Sequence, residues 1–187
     1  MGPIMAIESA QLLLLLNWMS PAFPIGAYSY SHGLEWAIDS GVVSTPTEVE
    51  EWITDVISCG SGWNDAVLFA LSCEQDVNDL ALALCSSQER YLETTQLGAA
   101  FRIAAHSFCP QSDKHGGPLA YPVSAACACK AMGINREHAL LAFLQGFSNA
   151  LISVAVRLVP IGQTAGLEIM RALMPVISET ASRANLA

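Results

Sequence analysis

The stretch from Asn17 to Gly41 constrains this chain more than any other, because it sets two prolines and three glycines between two helical patterns. Pro21 and Pro24 fix their own φ and bias the residues before them toward extended backbone, so a helix ending near Met19 cannot run on through them. Gly26 supplies an unusual dihedral or a close backbone approach. Ser29 or Ser31 is placed to cap a helix that ends at Gly41, a residue suited to the position just past a helix. On that helix Tyr30, Leu34, Ala37 and Ile38 share one face, and His32, Glu35 and Asp39 share another. A linker needs no such restrictive residue types. The stretch is therefore a defined turn that sets how two helices meet.

The flanking sequence reads as helices throughout. Ile7 to Met19 forms the first, with Leu12 to Leu16 too apolar for a surface element and too short for a signal-peptide core. Thr45-Pro46-Thr47-Glu48 is a capping box with proline at the first helical position, followed by Val49, Trp52, Ile53, Val56 and Ile57 at helical spacing. Gly60 and Gly62 end that helix, and Trp63 to Cys73 makes the next. Asp76 to Leu84 is a further apolar run, read as continuous with a long helix through Arg90 to about His106. Cys109 to Pro118 is the one obvious long loop. Tyr121 to Met132 is helical and stopped by Gly133; Asn135 caps the longest helix, to about Val159; Gly162 to Ala181 is the last, bent at Pro175. No strand alternation survives a count. The expectation is a single all-α domain over residues 1–187, a bundle of roughly eight to ten helices.

Ala139 to Val156 carries no charge and approaches the roughly 18 apolar residues of a membrane-spanning candidate. Gln145, Ser148, Asn149 and Ser153 recur along it at helical spacing, which favours a buried central helix or one shared across a dimer. Charged residues make up only 13% of the chain, well below the usual quarter or so, so either burial is extensive or apolar surface meets a partner. The charge is also polarised. The first 89 residues hold twelve acidic residues and no Lys or Arg, whereas the remainder holds eight basic and five acidic ones. That argues against nucleic acid as a partner. Solubility and an acidic face meeting a basic protein both remain open. The six cysteines are scattered, with no Cys-x-x-Cys, and most sit in apolar helical runs as small hydrophobes, so a reduced, cytoplasmic protein is expected.

Signals of chemistry are weak. His32 and Glu35, three residues apart with Asp39 beyond, would suit a divalent metal in a helical enzyme, but a solvated helix face beside a turn explains them more simply. His106, His115 and His138 lack ligand spacing, and Cys127 and Cys129 fall on different helix faces as packing residues. Gly60-Ser61-Gly62 and Gly116-Gly117 are too short to cradle phosphate, and Ser29 and Ser31 near His32 lack a nucleophile-elbow context. Arg157, in the last turn of the most apolar helix, complements the helix dipole for about 0.3–1 kcal/mol.

Two segments carry a family resemblance. Ser20-Pro-Ala-Phe-Pro-Ile-Gly-Ala-Tyr-Ser-Tyr-Ser-His-Gly-Leu-Glu-Trp-Ala37 and Arg157-Leu-Val-Pro-Ile-Gly-Gln-Thr-Ala165 resemble, in order and separation, the two signature segments of the urease accessory protein UreF family. A fainter echo covers Cys85 to Phe101. The resemblance implies a non-enzymatic, all-helical, dimeric accessory protein. It would join UreD (also called UreH) and the GTPase UreG in GTP-dependent nickel insertion into apo-urease, with nickel and nucleotide bound by those partners. By motif it implies partner contacts at Tyr28, Ser31, Glu35, Arg157 and Gln163, and structural roles for Pro24, Gly26, Gly33, Pro160 and Gly162. It also implies a C-terminal tail with partner contacts that extends past the equivalent of Ala187.

Overall fold

The Thr45–Glu48 segment folds as its side chains dictate. Thr45 Oγ1 accepts from the Glu48 N–H at 3.3 Å, and Glu48 Oε2 accepts in return from the N–H groups of Thr45 at 3.0 Å and Ser44 at 2.8 Å. The helix it starts is one of nine α-helices in the computed structural model, which describes residues 7–110 and 116–187. In chain order they are α1 Ser9–Trp18, α2 Leu34–Asp39, α3 Pro46–Ser58, α4 Ser61–Ser72, α5 Asn78–Ala83, α6 Gln88–Ala105, α7 Tyr121–Ala131, α8 Arg136–Leu158 and α9 Gly162–Asn185. A 3₁₀ turn, Ala27–Ser29, lies between α1 and α2. No strand occurs among the described residues, and the all-α expectation holds.

Helix α8 is the axis of the bundle. It packs against α1, α2, α3, α4, α7, α9 and the 3₁₀ turn, while α6 packs chiefly on α7. Its length and apolarity would suffice to cross a membrane, yet half of its apolar window is buried inside this protein. The polar stripe foreseen on it divides: Gln145 and Ser153 are exposed, whereas Ser148 is fully buried and donates to the Leu144 carbonyl at 2.8 Å. A run of aromatic rings crosses the core from α1 to α4. Trp18 meets Phe101 at 5.9 Å, Phe101 meets Tyr121 at 5.8 Å, Tyr121 meets Phe143 at 5.3 Å, and Phe143 meets Phe69 at 5.1 Å. Each such pair adds about 0.5–1.5 kcal/mol beyond the area it buries. Two glycines let backbones close on one another: a Cβ at Gly98 would lie 1.9 Å from the Leu119 carbonyl oxygen, and one at Gly146 would lie 2.7 Å from that of Met19.

Several expectations are corrected. Helix α1 buries Leu15 and Trp18, but Leu12, Leu13 and Leu16 are 44%, 67% and 62% exposed, because the helix lies at the edge of the bundle and turns only one narrow side to α8. Neither Ser29 nor Ser31 caps a long second helix. Helix α2 is six residues and starts after Gly33, so Tyr30 and His32 precede it and share no helical face with Leu34 or Glu35. Gly62 does not end α3; it lies inside α4, where a Cβ would come within 3.0 Å of the backbone of Val56 and Ile57. Helices α5 and α6 are separate, because Ser87 accepts from the Arg90 N–H and opens a new helix. Helix α9 continues through Pro175 to Asn185. Part of the long loop, 111–115 with His115, lies outside the described residues. The cysteines are all unbridged thiols.

Candidate functional site

Pro21, Pro24 and Gly26 turn the chain back over α8. Phe23 is buried while Pro24 stays exposed, and Gly26 takes φ +80°, so its role is the left-handed dihedral. Short local bonds hold the descent: the Ser29 N–H donates to the Gly26 carbonyl at 3.0 Å, and the Leu34 N–H donates to that of Ser31 at 3.0 Å. His32 and Gly33 then both adopt positive φ, +50° and +82°. His32 is the only non-glycine residue to do so among the described residues. Two successive left-handed residues reverse the chain, send the imidazole inward and start α2 outward.

On the outer side the two signature segments meet. Tyr28 is 63% exposed, and its carbonyl accepts from the Arg157 guanidinium at 3.5 Å across a separation of 129 residues. Arg157 Nε also donates to the Ser153 carbonyl at 3.2 Å, so the side chain lies back along the last turn of α8. The Ser31 hydroxyl accepts from the Glu35 N–H at 3.5 Å, and the Glu35 carboxylate is exposed. Pro160 is exposed in the turn after α8, Gly162 takes φ +75°, and Gln163 is exposed in the first turn of α9.

The inner side holds what the sequence did not announce. Arg90 on α6 lays one guanidinium nitrogen on both carboxylate oxygens of Asp65 from α4, and the other on Glu93 Oε1 at 2.6 Å. The same Glu93 oxygen lies 3.3 Å from His32 Nε2, and His32 Nδ1 lies 2.9 Å from the Ser61 hydroxyl. The His32 ring also stacks on Phe147 of α8 at 4.6 Å between centroids. A carboxylate oxygen already bound by a guanidinium accepts only, so Nε2 carries the proton and Nδ1 accepts from Ser61. Next to this cluster a cavity of about 60 Å³ is walled by Trp18, Tyr30, His32, Glu93, Tyr121 and Phe147. Tyr30 closes one end, its hydroxyl donating to Gln96 at 2.8 Å. On the far side, a cleft of about 240 Å³ reaches Ser61, Asn64, Asp65 and Arg90.

The electrostatics follow from burial. The His32 imidazole is held down to about 3, first by burial and then by the Arg90 charge, so it is neutral at ordinary pH. Burial pushes Asp65 and Glu93 up while Arg90 pulls both back down. Burial opposes the Arg90 charge too, but the two carboxylates outweigh it and hold the guanidinium above its usual value. The cluster thus carries one cation against two carboxylates in a nearly dry setting.

Ser61, His32 and Glu93 stand in the order of a nucleophile, base and orienting acid, but an imidazole near 3 is too weak to take a serine proton near pH 7. The arrangement is a tether. The geometry does not favour the alternative metal reading of His32 and Glu35: His32 turns inward to Ser61, Glu93 and Phe147, while Glu35 and Asp39 point to solvent from α2. No group of three His, Cys, Asp or Glu side chains suited to a metal occurs among the described residues. Two sequence signals could have exposed the cluster. Asp65 is an acid inside the apolar run of α4, and Arg90, the first cation in the chain, stands three residues before Glu93.

Comparison with known proteins points to the same family. The UreF family model matches residues 43–174. Urease accessory protein UreF of Methylobacterium sp. (strain 4-46) is 39% identical over 189 residues, covering 92% of this chain and 76% of that one. Urease accessory protein UreF 1 of Brucella canis is 41% identical over 193 residues, covering 98% and 85%. Urease accessory protein UreF of Allorhizobium ampelinum is 40% identical over 195 residues, covering 96% and 85%. A match of this extent, in a chain whose signature segments fold against each other, shows that the protein belongs to the UreF family.

Proposed function

We propose that this protein is a scaffold and regulator in urease maturation. It presents packed helical surfaces to UreD/UreH and to the GTPase UreG during GTP-dependent nickel insertion into apo-urease, as a homodimer in the cytoplasm. Nickel and GTP are handled by the partners, and the chain has no reaction centre of its own. The observation that carries this reading is the meeting of Tyr28 and Arg157 at one exposed place. Two segments far apart in sequence converge there on the surface, while the residues beneath are committed to an internal charge cluster. An exposed aromatic beside an arginine has the composition of an interface anchor.

The test is capture of UreD and UreG from the same source by the immobilised chain. Tyr28→Ala and Arg157→Glu are expected to lower capture at least tenfold with circular dichroism unchanged. If the unsubstituted protein captures neither partner, or if both variants capture as well as it does, the proposal fails.

A further inference from the structure

Between Gly26 and Gly33 the chain has one 3₁₀ turn, three residues at positive φ and no regular helix to hold it. A non-glycine residue in the left-handed region is strained and persists only when its surroundings over-determine it. What over-determines this segment is a set of side-chain ties to three helices, α4, α6 and α8. The Tyr28 carbonyl is tied to Arg157 of α8 and the Tyr30 hydroxyl to Gln96 of α6. The His32 ring bonds Ser61 of α4 and Glu93 of α6 and stacks on Phe147 of α8. Both ring nitrogens of His32 are engaged and its side chain is only 10% exposed, whereas Tyr28 is exposed.

We infer that His32 is the positioning residue of the Tyr28–Gly33 surface: its ring, gripped by Ser61, Glu93 and Phe147, holds the exposed segment in one shape from beneath. The grip is anchored because Glu93 is itself fixed by Arg90, and Arg90 by Asp65. The shape of an exposed recognition segment is therefore set by buried charges on α4 and α6. Pre-organisation of this kind lowers the ordering cost of binding a partner. To that extent the assignment rests on the partner-docking reading, but whether the segment is held can be measured with no partner present.

The experiment is amide hydrogen exchange on the purified chain and three variants. His32→Ala removes the ring. His32→Asn keeps a residue that tolerates positive φ and so separates backbone preference from ring contacts. Ser61→Ala removes only the partner of Nδ1 and serves should the His32 variants fail to fold. Exchange across residues 26–33 is expected to quicken at least tenfold in both His32 variants and severalfold in Ser61→Ala, while α3 and α9 keep their protection. In the unsubstituted protein, nitrogen NMR is expected to show His32 fixed with a proton on Nε2 and none on Nδ1 from pH 8 to 5.

Unchanged exchange across 26–33, quickening spread evenly over the whole chain, or protection fully kept by His32→Asn would each overturn the assignment. Capture of UreD and UreG by the same variants separates the two readings. Quickened local exchange with undiminished capture removes the docking role of this surface and leaves His32 as its positioning residue. Lost capture with unchanged exchange does the reverse.

Discussion

Replacing Arg90 with methionine should unmask what the buried cluster contributes. The guanidinium side chain is 16% exposed, between carboxylate side chains that are 5% and 9% exposed. Opposite unit charges about 4 Å apart attract by about 4 kcal/mol at an effective dielectric of 20, so two pairs amount to roughly 8 kcal/mol before desolvation is subtracted. Removing one partner of a buried pair typically costs about 3–5 kcal/mol, because the remaining charge stays buried and uncompensated. With a urea dependence of about 2–3 kcal/mol per molar, the unfolding midpoint should fall by about 1–2 M at pH 8. The loss should also depend on pH with a definite sign. Burial already pushes Asp65 and Glu93 up, and without Arg90 nothing pulls them back. A carboxyl group whose folded value lies above its unfolded one takes up a proton more readily when folded, so its contribution is present at low pH and is lost as pH rises through the folded value. Arg90→Met should therefore recover much of its deficit between pH 8 and pH 5. Adding Asp65→Asn and Glu93→Gln to Arg90→Met should recover it at every pH. A midpoint shift below about 0.3 M, or an equal deficit at pH 5 and pH 8, would refute this account; equilibrium urea denaturation followed by tryptophan fluorescence decides it.

Three further outcomes follow from the same structure. Gly98→Ala drives a Cβ into the Leu119 carbonyl at the α6–α7 crossing, where Ser124 also donates to the Gly98 carbonyl at 3.1 Å. Backbone on both sides has no room to give, so the loss should reach about 3 kcal/mol or leave the protein insoluble, read by thermal denaturation and soluble yield. Thr45→Ala removes one half of the α3 capping box and should cost about 1 kcal/mol, with the helix content unchanged in circular dichroism. His32, held near 3, stays neutral in the folded protein where the unfolded chain takes up a proton below its ordinary value of 6.5. Its contribution is therefore complete above pH 6.5 and is lost as pH falls from there toward 3, at up to about 1.4 kcal/mol per pH unit. Asp65 and Glu93 act in the opposite sense, so the difference in urea stability between the unsubstituted protein and His32→Phe isolates the imidazole; a difference that does not vary with pH would contradict its neutral, buried state.

Local chemistry made much of this fold legible in the sequence. The α3 capping box, the Asn135 cap of α8 and the stop at Gly133 each depend on neighbours within four residues, so the pattern of side chains suffices to place them. The buried side of helix α1 is not legible in the sequence, because apolar residues report only that burial is favourable. Which of five consecutive leucines is buried depends on where α8 runs. The second helix is shorter than its sequence pattern allows for a related reason. Helical spacing permits Tyr30 and His32 on its faces, but the inward pull on the His32 ring comes from Ser61, Glu93 and Phe147, which the sequence places 29 to 115 residues away.

The candidate site divides along the same line. Taken alone, the sequence determined an all-helical chain with an obligatory turn at Pro21–Gly26, and it marked Tyr28 and Arg157 in separate segments. Only the tertiary structure decided that those two residues meet. Only it decided that His32 and Glu35 point in opposite directions, and that Asp65, Arg90 and Glu93 form one buried cluster. The physical reason is range. Dihedral preferences, caps and helical periodicity act over a turn or two of backbone, whereas compensating a buried charge requires whichever opposite charge the packing of α4 and α6 on α7 brings within hydrogen-bond reach.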